Sequence, residues 1–403
     1  MSAPRILVLG SYPAVNPRHG GQVRLSQIVR AYESSGFEVK QASFFPGHDF
    51  YTGSRTGPAD VALSIPLLHD WRGRPNDWVE DVIAGDVAAA NDSLVASLEK
   101  YAGHVELVHL EQPWLLPLVE KLRDRGRIGA FRLVYGSQNI EHELKRAILR
   151  QNHVSEQDEI SETVLALEQR CAAQASLVVA VTSEDAAVLA GWTSAPLVLA
   201  PNGIAPWTST PEKRERWTKQ LGNAPFALYV GSAHPPNVQG FCDCFGSSLA
   251  RLSPVQRIVI AGHVSELIPK TPWFEEWKTL NARRTIAVGI LSQEDLSALR
   301  DLAHMFILPV TAGGGSNLKT AEALYSGKHV VASPLAMRGF EKLMDLPGLR
   351  IASPGREFAA AVAASLDEAP RSGDDNARAQ RESLTWQHTL RALCDAAGKT
   401  ARP

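Results

Sequence analysis

One alternation constrains this chain more than any other feature. Short apolar runs, "RILVLGSY", "FEVKQASFF", "VELVHL", "RLVYGSQ", "SLVVAVTS" and "PLVLAPNG", are separated by longer segments of helical periodicity such as Gln22 to Ser35 and Gln157 to Ala173. Runs this short and this apolar read as strands covered on both faces, and strands alternating with helices build a doubly wound parallel sheet. The pattern then begins again with "FALYVGSAH", "RIVIAGH", "TIAVGI", "HMFILPV", "KHVVAS" and "LRIAS". The expected architecture is therefore α/β, with two Rossmann-like domains in tandem. Between the two series Pro201, Pro206 and Pro211 crowd together with Gly203, the composition of a junction.

A chain of 403 residues is long enough for two such cores. Its 44% hydrophobic and 21% charged content is that of a soluble globular protein. A formal net charge of −2 argues against a nucleic-acid partner held by bulk electrostatics. No apolar run approaches a membrane span, and "MSAPRILVLGSYP" enters a strand without signal-peptide architecture, so the expected location is the cytoplasm. The four cysteines, Cys171, Cys242, Cys244 and Cys394, are too scattered for a disulfide framework. "FCDCF" has no second Cys/His pair and reads as two small hydrophobes on a helix, and the twelve histidines form no H-E-x-x-H pattern, so no metal site is expected.

The densest polar chemistry lies between Val310 and Ser333, "VTAGGGSNLKTAEALYSGKHVVAS". It reads as strand, glycine turn, helix, strand, with Leu318, Ala321 and Leu324 at helical spacing and Gly327 as the stop. Gly313 to Ser316 leave room for a ligand to approach backbone N–H groups at the positive end of a helix, which suits a phosphate. Lys319, in the first turn, adds a full charge. Glu322 is six residues beyond Ser316, on the order of 9 Å along the axis at about 1.5 Å per residue, a displacement that suits ribose hydroxyls. A glycine turn with an ordinary surface Lys/Glu pair is the rival reading of the same residues.

The order of these motifs, "PNGI" at the junction, "YVGSAHPPN", "IAVGILSQEDLSALRDLAHMFILPV" and "GGGSNLKTAEALYSGKHVVAS", resembles the GT-B glycosyltransferases. Within them it is similar to the large retaining family 4, which includes sucrose synthases and bacterial polysaccharide transferases. The resemblance implies an acceptor domain over residues 1–205, a nucleotide-sugar donor domain over 206–375 and a C-terminal helix, 376–403, that crosses back to the first domain, the two domains facing a central cleft. It implies transfer of a sugar from a nucleotide-diphosphate donor to an acceptor hydroxyl, with retention. No cofactor or metal is expected. By the same resemblance Glu322 holds the donor ribose, the backbone of Gly315, Ser316 and Asn317 faces the distal phosphates, and Ile290 and Leu291 contact the base. The first glutamate of the family's E-x7-E motif falls on Gly314, and the usual diphosphate-clamping Arg and Lys are missing from "VGSAHPPNVQGF", which offers Ser232, His234 and Asn237. Lys319 is the replacement cation for the leaving diphosphate.

In the first domain "PRHGG" opens a helix after the first strand, so Gly20 and Gly21 can bring backbone close to phosphate or acceptor and Arg18 can add charge; a mobile loop with solvated cations explains them equally. "SQNIEHE" ends another strand where the family often has His-Asn before a glutamate. Gln138 and Asn139 stand there as hydrogen-bonding groups in the catalytic region, and Glu141 reads first as a carboxylate on a helix N-terminus. His109, beside Glu111, ends a further strand and is either an acceptor-side group or a packed histidine. Basic stretches "KLRDRGRIGAFR" and "ELKRAILRQ" leave peripheral contact with the inner face of a membrane open beside plain solvated helix faces. The acceptor is a glycan, a lipid-linked molecule or another hydroxyl compound. Two rival functions stay open: a nucleotide-sugar 2-epimerase on the same fold, and a non-catalytic nucleotide- or sugar-binding protein. "LGSYPAVNPRHGG" lacks a G-x-G-x-x-G at the spacing a nicotinamide dehydrogenase needs.

Overall fold

The computed structural model describes residues 3–17, 19–48, 56–69, 79–371 and 378–402. The chain divides into two compact units, Met1–Pro201 with Thr389–Pro403, and Asn202–His388.

The first unit is built on seven parallel strands, β1 (Arg5–Gly10), β2 (Glu38–Pro46), β3 (Val61–Leu63), β4 (Leu107–Glu111), β5 (Arg132–Gly136), β6 (Leu177–Ala180) and β7 (Leu197–Leu199), in the order β3-β2-β1-β4-β5-β6-β7. The central strands are buried along most of their length because helices cover both faces: Ile6, Leu7, Val8 and Leu9 are all fully buried. Each such side chain contributes roughly 1.5–3 kcal/mol relative to exposure. Six of the seven strands coincide with apolar runs of the sequence. The exception, β3, is three residues long at the sheet edge, pairing with the end of β2, and its "VAL" is too short to stand out as a strand run.

The second unit repeats the plan with six parallel strands, β8 (Phe226–Val230), β9 (Arg257–Ala261), β10 (Thr285–Gly289), β11 (Met305–Leu308), β12 (His329–Ala332) and β13 (Leu349–Ile351), ordered β10-β9-β8-β11-β12-β13. Successive side chains of a strand point to opposite faces. Accordingly Leu228, Val259, Phe306 and Leu308 enter one core cluster, while Ala227, Tyr229, Ile258, Ile260, Met305 and Ile307 enter another on the opposite face. Cys242 and Cys244 are free and buried on the Pro235–Phe245 helix.

The end of the chain belongs to both units. Ile204 donates to Leu384 O at 2.8 Å and accepts from Trp386 N at 3.2 Å, and Leu384 joins the second unit's core, so residues 378–388 and the buried Trp386 stay with that unit. The return to the first unit begins at Thr389, later than the residue 376 that the resemblance implies. The Arg391–Thr400 helix packs on β6, β7 and the Gly20–Ser34 helix, and Arg132 donates to the Thr400 and Arg402 carbonyls.

Candidate active site

In a doubly wound sheet, ligands gather outside the carboxyl ends of the two strands where the order reverses. In the second unit those strands are β8 and β11. The loop leaving β11 is the glycine-rich turn, and it is held from behind. Arg338 donates from Nη2 to Gly313 O at 2.6 Å and from Nε to Gly315 O at 2.9 Å. In a trans peptide the N–H points opposite the C=O, so the N–H groups of Gly314 and Ser316 face away from the guanidinium. Gly313 (φ 122°) and Gly315 (φ 60°) occupy the left-handed region that this path requires. Gly314 does not. The junction supplies a second clasp: Asn202 N donates to Ser316 Oγ at 3.0 Å and Asn202 Nδ2 to Ser316 O at 2.7 Å. Asn317 caps the Leu318–Tyr325 helix by accepting from Lys319 N at 3.1 Å.

Lys319 reaches from that helix to the other loop of the switch point. Its Nζ donates to Asn237 Oδ1, lies 5.7 Å from the Tyr229 ring centre, and Asn237 Nδ2 in turn donates to Ser232 O and Oγ at 3.1 Å. The cation missing from the loop after β8 thus arrives there from the helix after β11. Burial pushes the Lys319 ammonium down to about 8, with Glu322 pulling the other way. Glu322 Oε1 lies 2.6 Å from Arg300 Nη2, a partner that comes from another helix and has no local signature. Ser232 is exposed. Ile290 and Leu291 follow β10, an edge strand of the sheet; Ile290 is 61% exposed, while Leu291 packs on the core.

The first unit reverses its order between β1 and β4, and there the polar groups bind one another. Arg24 Nε donates to Glu111 Oε1 at 2.7 Å and Arg24 Nη1 to Ala200 O at 2.9 Å. His109 is fully buried, its Nε2 2.8 Å from Glu111 Oε2 and its Nδ1 2.8 Å from the Tyr32 hydroxyl. Both ring nitrogens are engaged, so the structure places His109 inside the wall rather than among acceptor-facing groups. Gln138 spends its amide N–H groups on Tyr12 OH and on Glu111 Oε1 at 3.1 Å. Arg24 and His109 hold the Glu111 carboxyl below its ordinary range against the opposing effect of burial.

Asn139 Nδ2 and Gln112 Nε2 donate to Glu141 Oε1 at 3.1 and 3.0 Å, and Gln112 sits at φ 67°, outside the region most non-glycine residues adopt. Burial pushes Glu141 up to about 7. Glu168 accepts from Glu141 N at 2.7 Å and His142 N at 2.9 Å, so it satisfies the start of the Glu141–Gln151 helix; burial raises it too, to about 7. Gly20 opens the Gly20–Ser34 helix. A Cβ on Gly21 would lie 2.4 Å from the Tyr12 hydroxyl, so a larger residue there would displace the end of that side chain. Arg18 lies outside the described residues.

Among the described residues, no group of three or more His, Cys, Asp or Glu side chains gathers as a metal ion would require, and no helix is long and apolar enough to cross a membrane. The cations of "KLRDRGRIGAFR" have internal partners: Arg123 donates to Gln174 at 2.7 Å, Arg125 to Glu99 at 2.8 Å, and Lys121 and Arg127 lie 3.5 and 3.6 Å from Asp92 and Glu99.

Residues 224–368 match the family model described as Glycosyl transferases group 1. No curated protein sequence matches the chain. Among solved structures, the sucrose-phosphate synthase of Thermosynechococcus elongatus superposes with a TM-score of 0.69 at 16% identity, over 98% of either chain. Anabaena HepE, solved with UDP and glucose, gives 0.65 at 15% identity over 98% of this chain and 100% of its own. WaaG, a glycosyltransferase involved in lipopolysaccharide biosynthesis, gives 0.60 at 14% over 98% of each. The chain has the GT-B fold, and residues 224–368 of its second unit are similar to Glycosyl transferases group 1 domains.

Proposed function

We propose that the protein transfers a sugar from a nucleotide-diphosphate donor to an acceptor hydroxyl, with the donor on the second unit and the acceptor assigned to the first. One observation carries the reading: Arg338 turns the Gly313 and Gly315 carbonyls inward, so that the N–H groups of Gly314 and Ser316 are free to meet an anion beside the Lys319 ammonium. Two N–H groups, a helix N-terminus and a cation are the equipment of a diphosphate site. Glu322 is placed for the ribose and the Ile290–Leu291 backbone for the base. Ser232, through Asn237, helps hold Lys319.

Transfer then proceeds with retention. The bond from the anomeric carbon to the diphosphate oxygen breaks, the acceptor oxygen bonds to the same face, and the acceptor proton passes to the departing diphosphate. The enzyme positions the reactants and stabilises the charge that develops on the leaving group. Lys319 and the helix N-terminus supply that positive charge without a divalent ion. Gln138 and Asn139 form the framework of the acceptor side, with their N–H groups committed to Glu111 and Glu141.

The test is incubation with UDP-, ADP- and GDP-sugars, reading released nucleoside diphosphate, with and without EDTA, and the anomeric configuration of product by NMR. Turnover that survives EDTA and keeps the donor's configuration is expected. Interconversion of epimers without transfer would replace this reading by an epimerase. Neither turnover nor nucleotide-induced stabilisation would leave a non-catalytic protein.

A further inference from the structure

Glu322 is clasped from its buried side. Arg300, on the Gln293–Leu302 helix, brings Nη2 to 2.6 Å from Glu322 Oε1, with 7% of the arginine side chain exposed against 22% of the glutamate. The guanidinium carbon stands 5.1 Å from the Trp207 ring centre, a cation–π contact. Trp207 is itself fixed, donating from Nε1 to Asp301 Oδ1 at 3.0 Å and meeting the Tyr325 ring edge-on at 5.5 Å. A planar guanidinium held against an indole has little rotational freedom, and the carboxylate it binds inherits that restriction.

An arginine serving only to join two helices would be replaced at little cost by apolar packing, since burying a charge carries a desolvation penalty. Here that penalty is retained, and the buried Nε has no hydrogen-bond partner among the described residues. What the arrangement achieves is orientation. A glutamate on a helix surface samples several rotamers, and fixing one in advance lowers the ordering cost of binding.

We propose that Arg300 is a positioning residue for the donor ribose: with Trp207 behind it, it sets the plane of the Glu322 carboxylate so that its open lone pairs meet two vicinal hydroxyls. The inference rests on the donor reading above. Its consequence is that discrimination between ribose and a sugar lacking those hydroxyls depends on Arg300, which never touches the ligand.

The experiment titrates wild type, Arg300→Met, Arg300→Lys and Glu322→Gln with UDP, ADP and GDP, each against its 2′,3′-dideoxy counterpart. Wild type is expected to prefer one ribonucleotide over its dideoxy form by ten-fold or more. In Arg300→Met the preference falls towards one while dideoxynucleotide affinity stays within about two-fold, and Arg300→Lys recovers part of it. A general structural defect would weaken both forms equally. An unchanged preference in Arg300→Met overturns the inference and leaves the donor reading standing, whereas binding of no nucleotide by wild type overturns both. If Arg300→Met does not fold, Arg300→Lys decides: undiminished preference there, where the fork is lost and the charge kept, overturns the proposal.

Discussion

The two sheets share a topology and use it in opposite ways. At the reversal between β1 and β4, Arg24, His109, Glu111 and Gln138 are bonded to one another and to Tyr12 and Tyr32. At the reversal between β8 and β11, the supporting bonds run behind the loop, from Arg338, Asn202 and Asn237, and the glycine turn in front is largely exposed. The first arrangement makes a rigid wall and the second a cradle. Polar residues at a switch point thus identify a binding surface only when their hydrogen bonds are not already completed within the wall.

The largest test of this contrast is the buried pair in the first unit, whose side chains are 1% and 0% exposed. Glu111→Gln removes the charge opposite Arg24 and leaves a cation in the interior, which costs about 3–5 kcal/mol. Urea denaturation is expected to show that loss in the unfolding midpoint, and the double variant Arg24→Met/Glu111→Leu to recover part of it. A loss below about 1 kcal/mol in the single variant would mean the wall relaxes like a surface, and the comparison would fail.

Glu141 provides a pH-dependent version of the same test. Its folded pKa of about 7 lies above the ordinary 4.5, so the folded state holds a proton that the unfolded chain releases. Its contribution to stability is full below about 4.5 and is lost as pH rises through about 7. Wild type should lose up to about 1.4 kcal/mol per pH unit from this group across that window. Glu141→Gln, which keeps an oxygen for Gln112 and Asn139, should flatten the profile by that share. The same slope in both proteins would assign the pH dependence elsewhere, with Glu168 the next group to substitute.

Most of the fold could be read before the structure because strand runs are local. A parallel strand covered on both faces must be apolar over most of its length, and "MFIL" is β11 while "VVA" follows His329 in β12. The glycine turn and its helix were equally visible. What made the site was not. Arg338, Asn202 and Arg300 act on Gly315, Ser316 and Glu322 from other elements, and nothing in "AMRGF" or "SALRDL" distinguishes those arginines from solvated ones. His109 and Gln138 carried the opposite problem: residue types that suit a site, at strand ends that suit a site, whose bonds are completed internally by Tyr32 and Tyr12. Polar satisfaction is a tertiary property.

Lys319 should behave unlike Glu111. Burial holds its folded pKa at about 8, below the ordinary 10.5, so between those values the unfolded chain binds the extra proton and stability rises with pH. At pH 7 the charge is therefore a cost to the fold. Lys319→Met should keep or raise the melting temperature while weakening nucleoside-diphosphate binding by roughly 10- to 100-fold, the scale of a hydrogen bond to a charged group. In wild type, kcat/KM should fall above pH 8, and Lys319→Arg should move that limb upward. Parallel losses of stability and binding in Lys319→Met would make Lys319 a structural residue and remove the cradle's cation.

The smallest expected effect separates two adjacent glycines. Gly315 is buried at φ 60° with its carbonyl on Arg338, whereas Gly314 is exposed and outside the left-handed region. An alanine at a left-handed position costs about 1–2 kcal/mol, while at an ordinary one it restricts the unfolded chain and stabilises by about 0.4–1 kcal/mol. Gly315→Ala should therefore lower the melting temperature and weaken nucleotide binding together, because relaxing φ rotates the peptide that Arg338 holds and turns the Ser316 N–H away. Gly314→Ala should leave the melting temperature unchanged or slightly raised. If Gly314→Ala and Gly315→Ala prove equivalent in stability and in nucleotide affinity, the turn is not held in the conformation that aims its N–H groups outward, and the cradle loses its geometric basis.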